Sequence, residues 1–387
     1  MEITIQKIIY PGKSLGAHGA KTILTDKGIP GEIVEIAPVA EKKNYIEAKT
    51  VKIVSPSPHR IAPECSHYRA CGAYQDIDYK TQLVIKESQL KEIFPGIPIE
   101  VIPSPEIWGY RNKIKLSIIR ENKKAYLAYH IPESRNEFIK IDSCRLVSEN
   151  INRFLALFID TVNKENLTSV KEIEARESCA TKKLIFTTRP FVKIENIQNS
   201  SYVEEAASGK IFRIGPESFF QINVPMLEAA LKEMQRYISL QENRVIADLY
   251  CGIGTFGIAF SQLAEEIIGI ESDPGNISFL KGNLKLNKVE NFKLYEGQCE
   301  KLFPALMNKG VDILILDPPR KGLDNTLCRN ILLSSIKKIL YLSCNPSTLS
   351  RDLKILNHSY AVKILYLLDF FPQTPHIEAL AILEKKL

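Results

Sequence analysis

From residue 244 to residue 344, β-forming runs alternate with helix-forming runs, and each β run ends in a polar or glycine-rich turn. Arg244-Val245-Ile246-Ala247-Asp248-Leu249-Tyr250 reads as a strand, Cys251-Gly252-Ile253-Gly254-Thr255-Phe256-Gly257 as a turn, Ile258 to Ala264 as a helix, and Ile267-Ile268-Gly269-Ile270-Glu271 as the next strand. Further strands end at Asp317 and at Cys344, and a closing strand runs from Ala379 to Leu383. Strands joined through helices pair in parallel and are covered on both faces. The pattern therefore demands a doubly wound α/β sheet, whose ligand crevice lies above the carboxyl ends of its strands.

Four polar features fall at those ends: the glycine turn, Glu271, Asp317 and Cys344. A Gly-x-Gly turn between strand and helix lets a ligand approach bare backbone, and an acidic residue ending the next strand can take a ribose diol. Asp248, Gly252, Gly254 and Glu271 fit a nucleotide-like cofactor on this reading. The third glycine of a dinucleotide fingerprint is missing, and Leu316-Asp317-Pro318-Pro319-Arg320 is foreign to a dehydrogenase. Asp-Pro-Pro after a buried strand is similar to nucleic-acid methyltransferases that use S-adenosylmethionine, although Asp317 could also simply cap a turn. Cys344 precedes Asn345-Pro346, an N-cap and first helical residue, so the helix start is expected to lower its thiol pKa. An isolated cysteine there is more often a core thiol, but Glu378, just ahead of the closing strand, gives this one a carboxylate neighbour.

The first half is built differently. Residues 1–55 carry short alternating runs punctuated by Pro11-Gly12-Lys13-Ser14-Leu15-Gly16 and Gly28-Ile29-Pro30-Gly31, the pattern of a small five-stranded barrel. Ser55-Pro56-Ser57-Pro58 reads as a linker. Residues 56–213 read as a central α+β domain with helices over Tyr79–Ile93 and Ser148–Lys164, and residues 214–387 hold the α/β domain. Of the charged residues, positions 1–213 hold 32 Lys+Arg against 26 Asp+Glu, and the remainder hold 19 of each. All of the net charge of +6 thus lies in the first half, where an anionic partner such as RNA would be gripped. Tyr110-Arg111-Asn112-Lys113 and Arg135 are candidate contacts, with surface salt bridging as the equal alternative. Eight scattered cysteines do not form a secreted disulfide framework. No apolar run approaches a membrane span of roughly 18 residues, and Met1-Glu2-Ile3-Thr4 is no secretory leader, so a cytoplasmic, monomeric protein without a membrane partner is the expectation.

Taken together, Phe219-Phe220-Gln221-Ile222-Asn223, Asp248 through Gly254, Asp317-Pro318-Pro319-Arg320, Ser343-Cys344-Asn345-Pro346 and Pro375-His376-Ile377-Glu378 resemble the RNA 5-methyluridine methyltransferase family, which acts on uridines of tRNA and 23S rRNA. The resemblance runs over essentially the whole chain. It implies a Rossmann-like class I methyltransferase domain and a TRAM-like (OB-like) N-terminal barrel. It further implies S-adenosylmethionine bound by the counterparts Gln221, Tyr250, Glu271 and Asp317, Cys344 as nucleophile and Glu378 as base. Cys65 and Cys71 match the start of the family's iron–sulfur motif, and Cys144 is a third candidate ligand. Tyr74 stands where the family has a cysteine, so three thiolates remain for a cluster that takes four. Gln298 likewise replaces an acidic residue beside the adenine.

The residue types suit the chemistry independently. Carbon 5 of uracil attacks a sulfonium methyl group only after a thiolate has added to carbon 6, and a carboxylate must then remove the carbon-5 proton. The uridine must also leave its stack. A 5-methylcytosine enzyme would carry its nucleophile where this chain has Asp317-Pro318-Pro319. An exocyclic-amine methyltransferase would need no thiol, and an RNA-binding or folding factor would need neither thiol nor base.

Overall fold

The computed structural model describes the chain except Gly72, Pro132, Glu133, Arg135, Asn196, residues 239–243, Asn308 and Leu387, and except the side chains of Arg69 and Cys71. Arg135 and the thiol of Cys71 thus lie outside the described residues.

Strands β1 (Glu2–Ile9), β2 (Lys13–His18), β3 (Lys21–Thr25), β4 (Ile33–Glu41) and β5 (Tyr45–Ser55) close into a barrel in the order β1-β2-β3-β5-β4. Alternate residues point inward, and Ile3, Ile5, Ile23, Val34 and Ile36 fill the interior. Lys13 to Gly16, which read as a turn from its Pro-Gly start, is strand: Leu15 pairs with Lys7 and Leu24 across two ladders, and only Pro11-Gly12 turns. The barrel is tied down by Arg60, whose guanidinium donates to both carboxylate oxygens of the buried Glu32 (2.5 and 2.8 Å) and to Asp76 (2.6 Å).

After α1 (Tyr68–Cys71) comes α2 (Tyr79–Ile93), capped by Asp78, and then the short strand β6 (Ile99–Ile102). A five-stranded antiparallel sheet follows, in the order β11-β10-β7-β8-β9, from β7 (Lys113–Glu121), β8 (Lys124–His130), β9 (Phe138–Lys140), β10 (Glu172–Glu177) and β11 (Leu184–Arg189). Helix α3 (Glu149–Lys164), capped by Ser148, packs Leu155 and Phe158 into its core. A hairpin of β12 (Val203–Ala207) and β13 (Lys210–Ile214) leads to α4 (Val224–Ile238).

The last sheet has eight strands, ordered β16-β15-β14-β17-β18-β20-β19-β6, with β14 (Val245–Leu249), β15 (Glu266–Glu271), β16 (Phe292–Glu296), β17 (Ile313–Leu316), β18 (Lys338–Ser343), β19 (Tyr360–Leu368) and β20 (Glu378–Lys385). Helices α5 (Thr255–Phe260), α6 (Pro274–Leu286), α7 (Cys299–Leu306), α8 (Asn325–Leu333) and α9 (Pro346–Leu356) make the crossovers. The strands β14 to β18 are parallel; β14, β15, β17 and β18 are buried on both faces, as their apolar runs require, while β16 is the half-exposed edge. Among the described residues no helix is long and apolar enough to cross a membrane.

The N-terminal half enters this sheet directly: β6 pairs in parallel with β19, and Leu90 and Phe94 of α2 pack into one of its faces. Deeper still, Lys86 Nζ on α2 meets Asp369 Oδ1 at 2.6 Å with both side chains fully buried. Lys86 also donates to the Phe371 carbonyl (3.0 Å), Tyr79 Oη donates to Asp369 Oδ2 (2.8 Å), and Gln82 exchanges two hydrogen bonds of 2.9 Å with Gln373. Removing one partner of such a pair strands the other charge, which costs ~3–5 kcal/mol. Lys86→Met is therefore expected to lower the thermal midpoint and to deprotect residues 369–378 in hydrogen exchange, and adding Asp369→Asn should restore most of the loss. A cost of Lys86→Met under about 1 kcal/mol would contradict the role of the pair.

Candidate active site

The strand ends build the site. Because β20 runs antiparallel to β18, with Ser343 opposite Ala379, Glu378 at the start of β20 stands beside Cys344 just past the end of β18. β17 lies next to β18 and ends one residue before Asp317, while β14 and β15 lead into Tyr250 and Glu271. Asn345 accepts from the Ser347 N–H (3.1 Å), so the N-cap and Pro346 start of α9 are as the sequence reads.

The loop after Asp317 is held from α9. The buried Asp352 accepts from the Leu323 N–H (2.8 Å), Tyr341 Oη (2.8 Å) and Arg351 Nε (2.8 Å), and the Arg320 carbonyl accepts from Asn345 Nδ2 (3.1 Å). Gly322, at φ +72°, lies so close that a Cβ would sit 2.5 Å from Asp352 Oδ2. This anchoring sets the exposed Arg320 where its charge acts on the Cys344 thiol.

The electrostatics reverse one sequence expectation. Burial pushes the Cys344 thiol up to about 11, and Glu378 and Asp317 add to the rise; Arg320 opposes it without cancelling it. The start of α9 does not make this thiol acidic, because two carboxylates and a desolvated setting outweigh a partial helix charge. Burial likewise raises Glu378 well above the usual carboxylate range, with Asp317 adding and Arg320 opposing. Asp317 is pushed to about 7 by burial, against a hydrogen bond from Gln221. His376 is held near 4 by burial and the cations Arg320, Arg111 and Lys86, so its ring is neutral at pH 7.

Beside this centre the glycine turn is open. Nothing lies within 4 Å of where a Gly252 Cβ would be, whereas a Cβ on Gly254 would meet Leu280 Cδ1 at 2.3 Å. One glycine thus exposes backbone and the other admits a neighbouring helix. Glu271 Oε2 accepts from the Gly252 N–H (2.8 Å), and its Oε1 accepts from the Ser272 and Asp273 N–H groups (2.7 Å each). Tyr250 sits at φ +62°, a costly conformation for a tyrosine, and its hydroxyl donates to Glu300 (2.9 Å). Asp248, fully buried, accepts from the Gly257 N–H with Oδ2 (2.8 Å) and leaves Oδ1 without a partner; burial pushes it to about 7. A recess of about 460 Å³ opens here, lined by Tyr250, Glu271, Gln298, Glu300, Lys321 and Asp324 among others. Glu300, two residues past Gln298, supplies acid to that recess. Its position at the second residue of α7 was the available sequence signal.

The first half braces this site more than it presents contacts. Tyr110 and Asn112 are buried: Tyr110 Oη donates to the Pro372 carbonyl (3.1 Å), and the Asn112 N–H donates to the Ile222 carbonyl (2.9 Å). Lys113 pairs with Glu174, and Arg111 Nε donates to Tyr110 Oη (3.2 Å), so this motif is structural and not an exposed RNA contact. Asn223, fully buried, donates to Ser104 Oγ (3.1 Å) and the Phe370 carbonyl (3.2 Å).

Among the described residues the candidate cluster ligands are not gathered as four thiolates. Cys65 Sγ donates to Gln75 Oε1 (3.0 Å), and the buried Cys144 accepts from Tyr129 Oη (3.3 Å). Tyr74 is buried instead between barrel and α2 with Ile8, Ile29, Ile77 and Ile85. His67, missed in the sequence, lies beside both sulfurs, which raise it to about 9. Among the described residues no group of three or more such side chains is arranged to hold a metal ion. The residues present do not fit a four-thiolate cluster, and none enters the chemistry below.

The profile of the tRNA (uracil-5-)-methyltransferase family matches residues 180–386. An uncharacterized RNA methyltransferase of Lactobacillus johnsonii is 29% identical over 97% of this chain and 95% of its own length. One of Aquifex aeolicus is 29% identical over 100% and 99%. The Pyrococcus abyssi tRNA (uracil-54, C5)-methyltransferase, solved in complex with S-adenosyl-L-homocysteine, superposes with a TM-score of 0.79 at 25% identity, covering 98% of this chain and 99% of that one.

A thiol held near 11 reacts through its anion, so alkylation of Cys344 by iodoacetamide in the free protein is expected to rise about tenfold per pH unit from 7 to 10. Peptide mass spectrometry reads this directly. A plateau below pH 8 would contradict the raised pKa.

Proposed function

Because the chain belongs to the tRNA (uracil-5-)-methyltransferase family, we propose that it methylates carbon 5 of a particular uridine in a structured RNA, with Cys344 as the nucleophile and Glu378 as the base. The observation that carries this reading is the pairing of Ser343 with Ala379, which sets a thiol and a buried carboxylate side by side at one strand end.

S-adenosylmethionine suits the adjoining recess. Bare backbone at Gly252, the partnerless Asp248 Oδ1 beneath the turn and the acids Glu271, Glu300 and Asp317 around it favour a ligand with hydroxyl and amine donors and a cationic centre. Gln221, Tyr250, Gly252, Gly254, Glu271 and Asp317 are the residues that would hold it. When bound, it supplies an electrophilic methyl group.

The protein's own groups do the rest. Cys344 loses its proton to solvent and adds as the thiolate to carbon 6 of the flipped uracil, which turns carbon 5 into an enolate-like nucleophile; the charge of Arg320 favours the anion. After carbon 5 is methylated, ionised Glu378 takes its proton, the electrons of that C–H bond re-form the 5,6 double bond, and the thiolate leaves. A carboxylate with a raised pKa is a stronger base than a surface one, which suits removal of a carbon-bound proton. Which RNA carries the uridine, tRNA or 23S rRNA, is decided by mapping 5-methyluridine by mass spectrometry in both RNAs from cells with and without the gene. Loss of one 5-methyluridine is the expected result, and an unchanged inventory overturns the proposal.

With that RNA, Glu378→Gln is expected to lower turnover by ~10²–10⁴ while a denaturant-resistant protein–RNA band accumulates. Cys344→Ala should give neither product nor band. Both active groups work deprotonated and both are raised, so kcat should climb from pH 6 to pH 9. A fall over that range would contradict their roles.

A further inference from the structure

A second cavity, of about 430 Å³, lies on the far side of the turn that closes the catalytic crevice. Its size falls within the ~300–1,000 Å³ range of small-molecule sites. Four parts of the chain enclose it: the barrel through Ile8, Pro11 to Ser14 and Asp26 to Ile29, the residues Arg60, Tyr68, Ala73, Tyr74, Asp76 and Ile77, Ile131 just after β8, and Pro375 from the loop that carries Glu378.

The partition between the two chambers is Tyr10-Pro11-Gly12. Tyr10 packs against the core of the α/β sheet, and the charges that act on its phenol are Cys344, Arg320 and Glu378. Pro11 and Gly12 face the cavity instead, and Gly12 abuts Pro375 so closely that a Cβ would lie 2.8 Å from Pro375 Cβ. The wall is fixed at its base, since Gln89 Nε2 donates to the Ile8 carbonyl (2.9 Å).

The lining joins three kinds of group. Ile8, Ile29, Ile77 and the two prolines form an apolar floor; the rings of Tyr68 and Tyr74 stand at the side; Lys13 and Lys27 lie on the barrel rim. The acids in the wall have partners already: Asp26 accepts from the Thr50 N–H (2.9 Å) and Asp76 from Arg60 (2.6 Å). An apolar and aromatic slot with cations at its lip is the chemistry that receives an unstacked base while its phosphates stay outside.

We propose that this cavity is a second RNA subsite, which takes the base of a nucleotide adjoining the target uridine as the strand crosses the Tyr10–Gly12 partition. The inference rests on the functional reading above. It makes the barrel part of the recognition of the target strand, with one base in the crevice and a neighbour in the slot. Holding both fixes the register of the strand, so the subsite selects among uridines.

The test uses the full-length protein and a transcript of the mapped RNA in which 5-fluorouridine replaces uridine, so that carbon 5 carries no removable proton and the adduct persists. Base-edge probing of the trapped complex is expected to show one flanking base protected in the wild type. Ala73→Trp, which fills the cavity mouth from an exposed position, should restore that base to the reactivity of free RNA. It should also raise KM for RNA about tenfold with KM for S-adenosylmethionine unchanged. Lys13→Glu should raise KM for RNA in the same way, again with KM for S-adenosylmethionine unchanged. No protected flanking base in the wild type, or identical protection in Ala73→Trp and wild type, overturns the subsite. Failure of the wild type to trap at all overturns the functional reading instead.

Discussion

The buried contact between Lys86 and Asp369 is the constraint on which the catalytic end depends. An ammonium and a carboxylate without solvent are tolerated only with further hydrogen bonds, and here Tyr79 supplies one to Asp369 and the Phe371 carbonyl accepts one from Lys86. The geometry this demands fixes α2 against the turn after β19, and Gln82 extends the grip to Gln373. Five residues later the chain reaches Glu378. A helix from the first quarter of the sequence thus sets where the carboxylate meets Cys344, and Tyr110 and Asn223 hold the same turn from other sides.

A second principle follows from what that frame encloses. Asp248, Asp317, Glu378 and the Cys344 thiol lie in a poorly hydrated crevice in which burial raises every pKa, Asp317 adds to the rise of the other three, and Arg320 is the cation that opposes it at Cys344 and Glu378. Such a site resists carrying all of these negative charges at once. A cationic ligand relieves that repulsion, which couples filling of the crevice to ionisation of the groups that react.

Much of this was legible in the sequence because it is local. The βα alternation, the cap Asn345, and the polar ends of the strands follow from periodicity and from side chains bonding to their own neighbours. What escaped was set by contacts across long separations. Tyr10, which nothing in the sequence singles out, packs on the α/β core where Cys344, Arg320 and Glu378 act on its phenol. Arg111 and Lys113 read as basic contacts and turn out to be tied to Tyr110 and Glu174. The sign of the Cys344 shift was misjudged for the same reason: the helix start is visible beside it in the sequence, whereas the burial and the two carboxylates that outweigh it come from other strands. Tyr74 marks a different kind of departure, a cysteine position reused as core between barrel and α2.

The central claim is that one sulfur of this protein bonds to one uridine. Nuclease and protease digestion of the complex trapped on 5-fluorouridine RNA, followed by mass spectrometry, tests it most directly. The account predicts a single modified peptide in which Cys344 carries a methylated fluorouridine nucleotide. A nucleotide on any other cysteine, or methylated RNA released with no adduct, would contradict it.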